Sequence, residues 1–257
     1  VINLATFCFA IPILLVVNIA FGFPVIQRGY WIFLLGHLVV DFIAFICFVQ
    51  ALRSGQISLV TPFISFISVF AAILAPFVIG QQTTLGGMVG IFLCVVGAYL
   101  INRKKGHGLL TPFQGMFHNK GILFALTAAF FWSIGAMFLR LGQTYSSVWF
   151  HPLMLTIGLT GLFTLKVLFL DRKNFITELQ KDLQGHATLG FTYATEISLI
   201  TLAVATGPVA YAVAIKQLSL LFDIVVGKTF FGEDNYRQRL IAGLIIVTGI
   251  VVIVLWG

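Results

Sequence analysis

Stretches of 17 or more predominantly apolar residues follow one another along the whole 257-residue chain. They run over about 4–20, 31–52, 57–79, 85–101, 120–139, 148–170, 188–206, 209–230 and 240–256. Each is long enough to cross the hydrocarbon core of a bilayer as a helix, at ~1.5 Å of rise per residue. The connections are short, the longest being 102–119 and 171–187, and none has the composition of a soluble domain or a linker. Only 9% of the residues are charged, against about 25% in an ordinary soluble domain. So few charges cannot cover a water-facing surface, and the solvent of this chain is mostly lipid. The expected fold is an all-α polytopic membrane protein with nine transmembrane helices.

The net charge of +7 could point to nucleic acid, but its distribution argues otherwise. When alternate connections are assigned to opposite faces, one face collects twelve Lys and Arg residues. The other collects only Arg28 and Arg140, and Lys216 belongs to neither. That asymmetry is the positive-inside pattern, so the basic face is expected in the cytoplasm and Gly257 outside. The expected location is the cell membrane, plasma or inner. The stretch "NRKKGH" (102–107) has no interleaved aromatics and reads as a topology determinant that meets lipid headgroups. Partners are expected to be lipid and a small molecule, with no nucleic acid and with oligomeric state open.

Cys8, Cys47 and Cys94 all fall in apolar spans and read as buried thiols, not as a disulfide framework. His107, His118, His151 and His186 lie near loops without metal-ligand spacing, so no metal or other cofactor is expected. G-x-S-x-G, Walker and H-E-x-x-H patterns are absent, which argues against an enzyme. The first residue is Val1, and the first apolar window lacks the flanks of a signal peptide.

A shift of 152 residues aligns the chain with itself. Gly55 then falls on Gly207, Gly80 on Gly232 and Gly97 on Gly249. Ala51/Ala203, Phe70/Phe222, Val95/Val247 and Ile101/Ile253 also coincide, without a gap. The second, third and fourth spans correspond to the seventh, eighth and ninth. The fifth lacks a counterpart unless one helix precedes Val1; restoring it yields two repeats of five. An odd number of helices per repeat forces opposite orientations, and inverted repeats around a midplane site are a transporter architecture. The expected domains are 1–105, a first repeat lacking its first helix, and 118–257, a second.

With these segments in view, the chain resembles the EamA-like family of the drug/metabolite transporter superfamily. Residues 51–101 and 202–255 resemble the ends of its two repeats, and "ALTAAFFWSIGAMFLR" (125–140) looks like the Trp-containing first helix of a repeat. Gly232-Glu233 is the most family-like short signature, and the first half departs from it with Gly80-Gln81. Ten-helix members of the family are described with both ends in the cytoplasm, whereas the charge count here places Gly257 outside. The resemblance implies export or uptake of small metabolites, with proton coupling or exchange in some members.

The spans also contain charges. Glu196 lies in "YATEIS" (193–198) and Lys216 in "AIKQLS" (214–219), on either side of a turn at Gly207-Pro208. Each is expected roughly 13–17 Å deep at ~1.5 Å per residue, on an antiparallel hairpin where the two can pair near the midplane. A charge at mid-bilayer costs about 2.5–3.5 kcal/mol on the insertion scale and is normally functional. The plain alternative is an ion pair that sets helix register. If the two pair, neutralising either strands the other at a cost of about 3–5 kcal/mol. The double change Glu196→Gln with Lys216→Gln is then tolerated better than either single change. Additive losses in that cycle would rule the pair out.

Asp41 sits at the centre of the second span with His37 one turn earlier on the same face, which makes the two candidates for proton coupling. A hydrogen bond that merely stabilises the helix is the competing reading. Asp223 shares a face with Lys216 or pairs with Lys228, and Lys166 reads as a snorkelling end residue. Tyr193, Tyr211, Gln217 and Trp132 are candidates to line a substrate cavity beside Glu196 and Lys216, with ordinary packing as the alternative for each aromatic. Glycines at 86, 90, 97, 243 and 249 indicate close helix contacts. The sequence thus predicts a secondary transporter that moves a small polar metabolite by alternating access, cationic or zwitterionic because the spans hold more carboxylates than ammonium groups. A helical membrane scaffold or assembly factor is the alternative.

Overall fold

The computed structural model describes residues 2–54, 63–101, 119–170, 182–218 and 236–257, and every regular element among them is helical. In chain order these are α1 (Ile2–Phe21), α2 (Tyr30–Ser54), α3 (Ile67–Val78), α4 (Leu85–Ile101), α5 (Lys120–Thr144), α6 (Phe150–Leu170), α7 (Leu183–Thr206), α8 (Val209–Ile215) and α9 (Tyr236–Trp256). Val, Ile, Phe and Thr are indifferent helix formers in water. In lipid an unpaired backbone amide costs several kcal/mol, so an apolar spanning segment closes its hydrogen bonds internally whatever its side chains. Helices α1, α2, α5, α6 and α7 are long and apolar enough to span a membrane, and α3, α4, α8 and the Leu240–Trp256 part of α9 are shorter apolar helices.

The helix ends follow the 152-residue register. Shifted by it, α2 falls on 182–206, where α7 runs Leu183–Thr206, and α4 falls on 237–253, within α9. Residues 55–62, 102–118, 171–181 and 219–235 lie outside the described part. The positions of Gly55, Asp223, Lys228 and Gly232-Glu233 are therefore not covered, nor is the basic 102–107 stretch.

Two compact units make up the chain. The first comprises Val1–Phe42 and Phe138–Thr206, the second Ile43–Met137 and Gly207–Gly257. In the first unit, Ala10, Leu14, Leu153 and Ala194 form a buried core among α1, α6 and α7. Phe7 meets Phe163 at 5.7 Å and Phe21 stacks on Trp149 at 4.9 Å, so α1 and α6 run antiparallel. Gly190 lets α7 approach α1, because a Cβ there would come within 2.4 Å of the Phe9 Cβ. Polar ends are tied by side chains. Asn18 donates to the carbonyls of Leu14 (2.9 Å) and Trp149 (3.0 Å). Arg140 donates to the carbonyls of Val204 and Ala205 and so caps the C-terminus of α7, where orphan acceptors and the helix dipole favour a cation. One of the two basic residues on the charge-poor face therefore has a structural role.

In the second unit α4 and α9 pack antiparallel through small residues. A Cβ on Gly97 would lie 2.8 Å from the Ala242 carbonyl oxygen, and one on Gly90 would lie 2.6 Å from that of Gly249. Only glycine lets the backbones come this near, which is how helices associate where lipid removes the hydrophobic drive. Helix α3 ends at Gly80, whose φ of +66° reverses the chain while Ile79 and Gln81 return their N–H groups to the Ala75 carbonyl. Gln81 then accepts the Val209 N–H at 3.0 Å, satisfying one orphan donor at the start of α8.

The sequence windows 57–79 and 209–230 are not uniform α-helix over their described residues. The chain turns at Ser65-Phe66 before α3, and α8 tightens into a 3-10 turn over Lys216–Leu218. Under the 152-residue shift Ser65 falls on Gln217, so the interruptions are equivalent.

Candidate functional site

A buried polar cluster forms in the first unit. Helix α2 presents His37 and Asp41 four residues apart, on one face by helical geometry. His37 Nε2 lies 3.5 Å from Asp41 Oδ2. Helix α6 begins at Phe150, held by the Ser147 hydroxyl that accepts its N–H at 3.1 Å, and this puts His151 in the first turn. His37 Nδ1 and His151 Nε2 are 2.9 Å apart, with the rings 15° from parallel. The relative exposures are 3% for His37, 8% for Asp41 and 0% for His151, so bulk water stands beside none of them. Beside them helix α7 presents the half-buried Tyr193 and, three residues on, the exposed Glu196. Tyr193 stands within electrostatic reach of both Asp41 and Glu196, and its hydroxyl is within hydrogen-bonding reach of Thr156 on α6. Phe7 closes the cluster on the α1 side, edge-on to Tyr193 at 5.0 Å.

The pairing of His37 with Asp41 is present. His151 is the residue that sequence reasoning passed over: it lies near a loop, as expected, but is also a fully buried partner of His37. It lies 114 positions away, and no spacing rule connects the two.

Glu196 and Lys216 fall in different units, and each side chain is exposed. In the second unit Gln217 Nε2 donates to the Ser65 carbonyl at 3.2 Å and joins the two interruptions. Gln217 is buried, and its Oε1 has no partner among the described residues. Tyr211, six residues earlier, is also buried, and its hydroxyl accepts the Thr84 N–H at 2.9 Å. Trp132 packs between Phe45 (5.4 Å) and Phe48 (5.3 Å). Ser65, like His151, was not singled out by its own residue type. The register that places it on Gln217 is the signal that finds it. Among the described residues no group of three His, Cys, Asp or Glu side chains could hold a metal ion.

Spanning apolar helices, a buried titratable cluster within them and paired helix interruptions define an integral membrane protein of the transporter class. The model of the EamA-like transporter family matches residues 1–103 and 119–255, nearly the whole chain in two copies, and the chain belongs to that family. A search of curated proteins returns no match. One solved structure, described only as "Crystal structure of protein", is 14% identical. It superposes with a TM-score of 0.76 over 98% of this chain and 85% of that one, a likeness of fold alone.

Proposed function

We propose that the protein is a secondary transporter that moves a small cationic or zwitterionic metabolite by alternating access, coupled to protons through Asp41 and His37. The observation that carries this reading is the buried His37–Asp41 pair, with Tyr193 and the exposed Glu196 on the neighbouring helix: two carboxylates within the spans of one unit are costly there, and such residues are functional by default. In the first unit we assign substrate contact to Glu196 and Tyr193. In the second we assign it to Lys216 and Gln217 at the helix interruptions, with Tyr211 and Trp132. Departures from regular α-helix at equivalent positions of two halves are a pointer to a binding region in transporters.

We also propose that the repeats, 1–105 and 118–257, are inverted copies. Support comes from the antiparallel packing of α4 on α9 and of α1 on α6, which are counterparts under the 152-residue shift. Residues that meet on a two-fold axis must be equivalent. Cys94 Sγ donates to the Ile246 carbonyl at 3.7 Å, and Gln217 to that of Ser65; both pairs are separated by 152 positions. The proposed location is the cell membrane.

A thermal-shift screen of the purified protein against metabolite pools tests the substrate class. A ligand present at one hundred times its Kd should add ~2.7 kcal/mol of stability. The stabilising pools are expected to be cationic or zwitterionic, and Glu196→Gln is expected to remove the shift. Stabilisation by anionic metabolites alone would overturn the assignment.

A further inference from the structure

Asp41 lies mid-helix, and a carboxylate that exchanges protons there needs a path for them. We propose that His151 is the outer member of a proton relay that runs through His37 to Asp41. The inference rests on the reading of Asp41 as proton carrier. Tyr30 is the first residue of α2 and His151 the second of α6, so both stand at the same end of the first unit, where Gln27 N–H binds the Tyr145 carbonyl at 3.0 Å. Measured along α2, His37 is about 10 Å and Asp41 about 16 Å inward from Tyr30. The three side chains thus step from a helix end to mid-bilayer depth.

The tautomers follow from the partners. An ionised Asp41 accepts from His37, so His37 carries its hydrogen on Nε2 and offers a lone pair at Nδ1. His151 must then donate from Nε2 across the 2.9 Å contact, which leaves its Nδ1 as a bare acceptor. That atom is buried and has no hydrogen-bond partner among the described residues. That ring edge packs directly on Gly142, where a Cβ would collide with Cε1 and Nδ1 of His151. A buried ring nitrogen left without a partner requires an explanation. A role in accepting protons supplies it.

The step balances. A proton binds His151 Nδ1, the proton on its Nε2 passes to His37 Nδ1, and the proton on His37 Nε2 passes to Asp41 Oδ2. Asp41 ends neutral, and both imidazoles end neutral in the opposite tautomer. The 3.5 Å gap between His37 and Asp41 must close by a few tenths of an ångström, as donor–acceptor contacts do when a transfer is engaged. Other ionisable groups facing the relay are Tyr30, edge-on to His151 at 5.6 Å, and Tyr193 and Glu196 from α7. From α5, Arg140 is held by the α7 carbonyls and Tyr145 packs on Phe33. Helix α1 offers only Cys8, which is exposed.

The proton itself is the probe. The full chain in lipid bilayers is given an acid jump, and the infrared carbonyl band of a protonated carboxylic acid is followed in time. The band is expected in the native protein and absent in Asp41→Asn. In His151→Gln the amide still donates to His37 Nδ1 but cannot relay a proton, and the band should rise about tenfold more slowly or worse. His37→Gln, which interrupts the relay one step further in, should do the same, and added imidazole should restore the rate in His151→Gly. If the band is absent in Asp41→Asn but rises at the native rate in both glutamine variants, the relay is wrong and Asp41 keeps its role. If the band survives in Asp41→Asn, the carrier reading fails and the relay with it.

Discussion

In proteoliposomes, Asp41→Asn protein should show no stimulation of uptake by a pH gradient, while exchange of the metabolite found in the binding screen continues in part. With one proton per substrate, each pH unit of gradient is worth ~1.4 kcal/mol, a factor of about ten in accumulation. Asparagine keeps the size and one acceptor oxygen of the side chain, so His37 retains a partner and the packing of α2 is little disturbed. What is lost is the ability to gain and release a proton at a position 8% exposed and 3.5 Å from His37 Nε2. A purely structural Asp41 predicts a different pattern. Gradient-driven uptake and exchange would then fall together, in proportion to the folded fraction. Full gradient-driven uptake by Asp41→Asn would reduce Asp41 to a helix-stabilising partner of His37.

Gly249→Leu should destabilise the protein by about 3 kcal/mol or more, the upper range for overpacking a tight contact. A Cβ at 249 would sit 2.7 Å from the Gly90 carbonyl oxygen and 2.9 Å from Cys94 Sγ. The first of these is backbone, which cannot step aside by a rotamer change. Helices α4 and α9 would have to separate along the Gly97, Gly90 and Gly86 line. Gly161→Ala on α6 is the matched control: nothing lies within 4 Å of its added Cβ, and alanine is the better helix former by up to about 1 kcal/mol. Thermal unfolding in detergent, followed by the four tryptophans, should show a large fall in the first variant and none in the second. A Gly249→Leu protein that melts with the parent would mean that α4 and α9 do not pack as described.

The helix content and helix ends were legible because lipid imposes them. An apolar run must form its own hydrogen bonds, and bilayer thickness sets its length, so α1, α2 and α5–α7 fall where the windows fall. The contact of His37 with Asp41 was legible for a similar reason, since four residues of one helix share a face by covalent geometry alone. The 152-residue register was legible in the glycines, one pair of which, Gly97 and Gly249, sits at the α4–α9 contact where a side chain cannot fit.

The partners across helices were not legible. In water, an amphipathic stripe tells which face of a helix looks inward. A helix in lipid is apolar on every side, so its sequence pattern carries almost no facing signal. Nothing in the spacing brings His151 to His37, Arg140 to the end of α7, or Gln81 to the start of α8; each contact exists only once the helices have packed. The interruptions at Ser65-Phe66 and Lys216–Leu218 were hidden likewise, inside runs as apolar as their neighbours, because a backbone turn in a membrane is permitted only where packed protein can satisfy its freed carbonyls. By itself the sequence determined a polytopic helical membrane protein with a doubled register and charges inside its spans. Which of those charges have buried partners was decided by the tertiary structure, since the faces of all-apolar helices are chosen by packing and not by polarity.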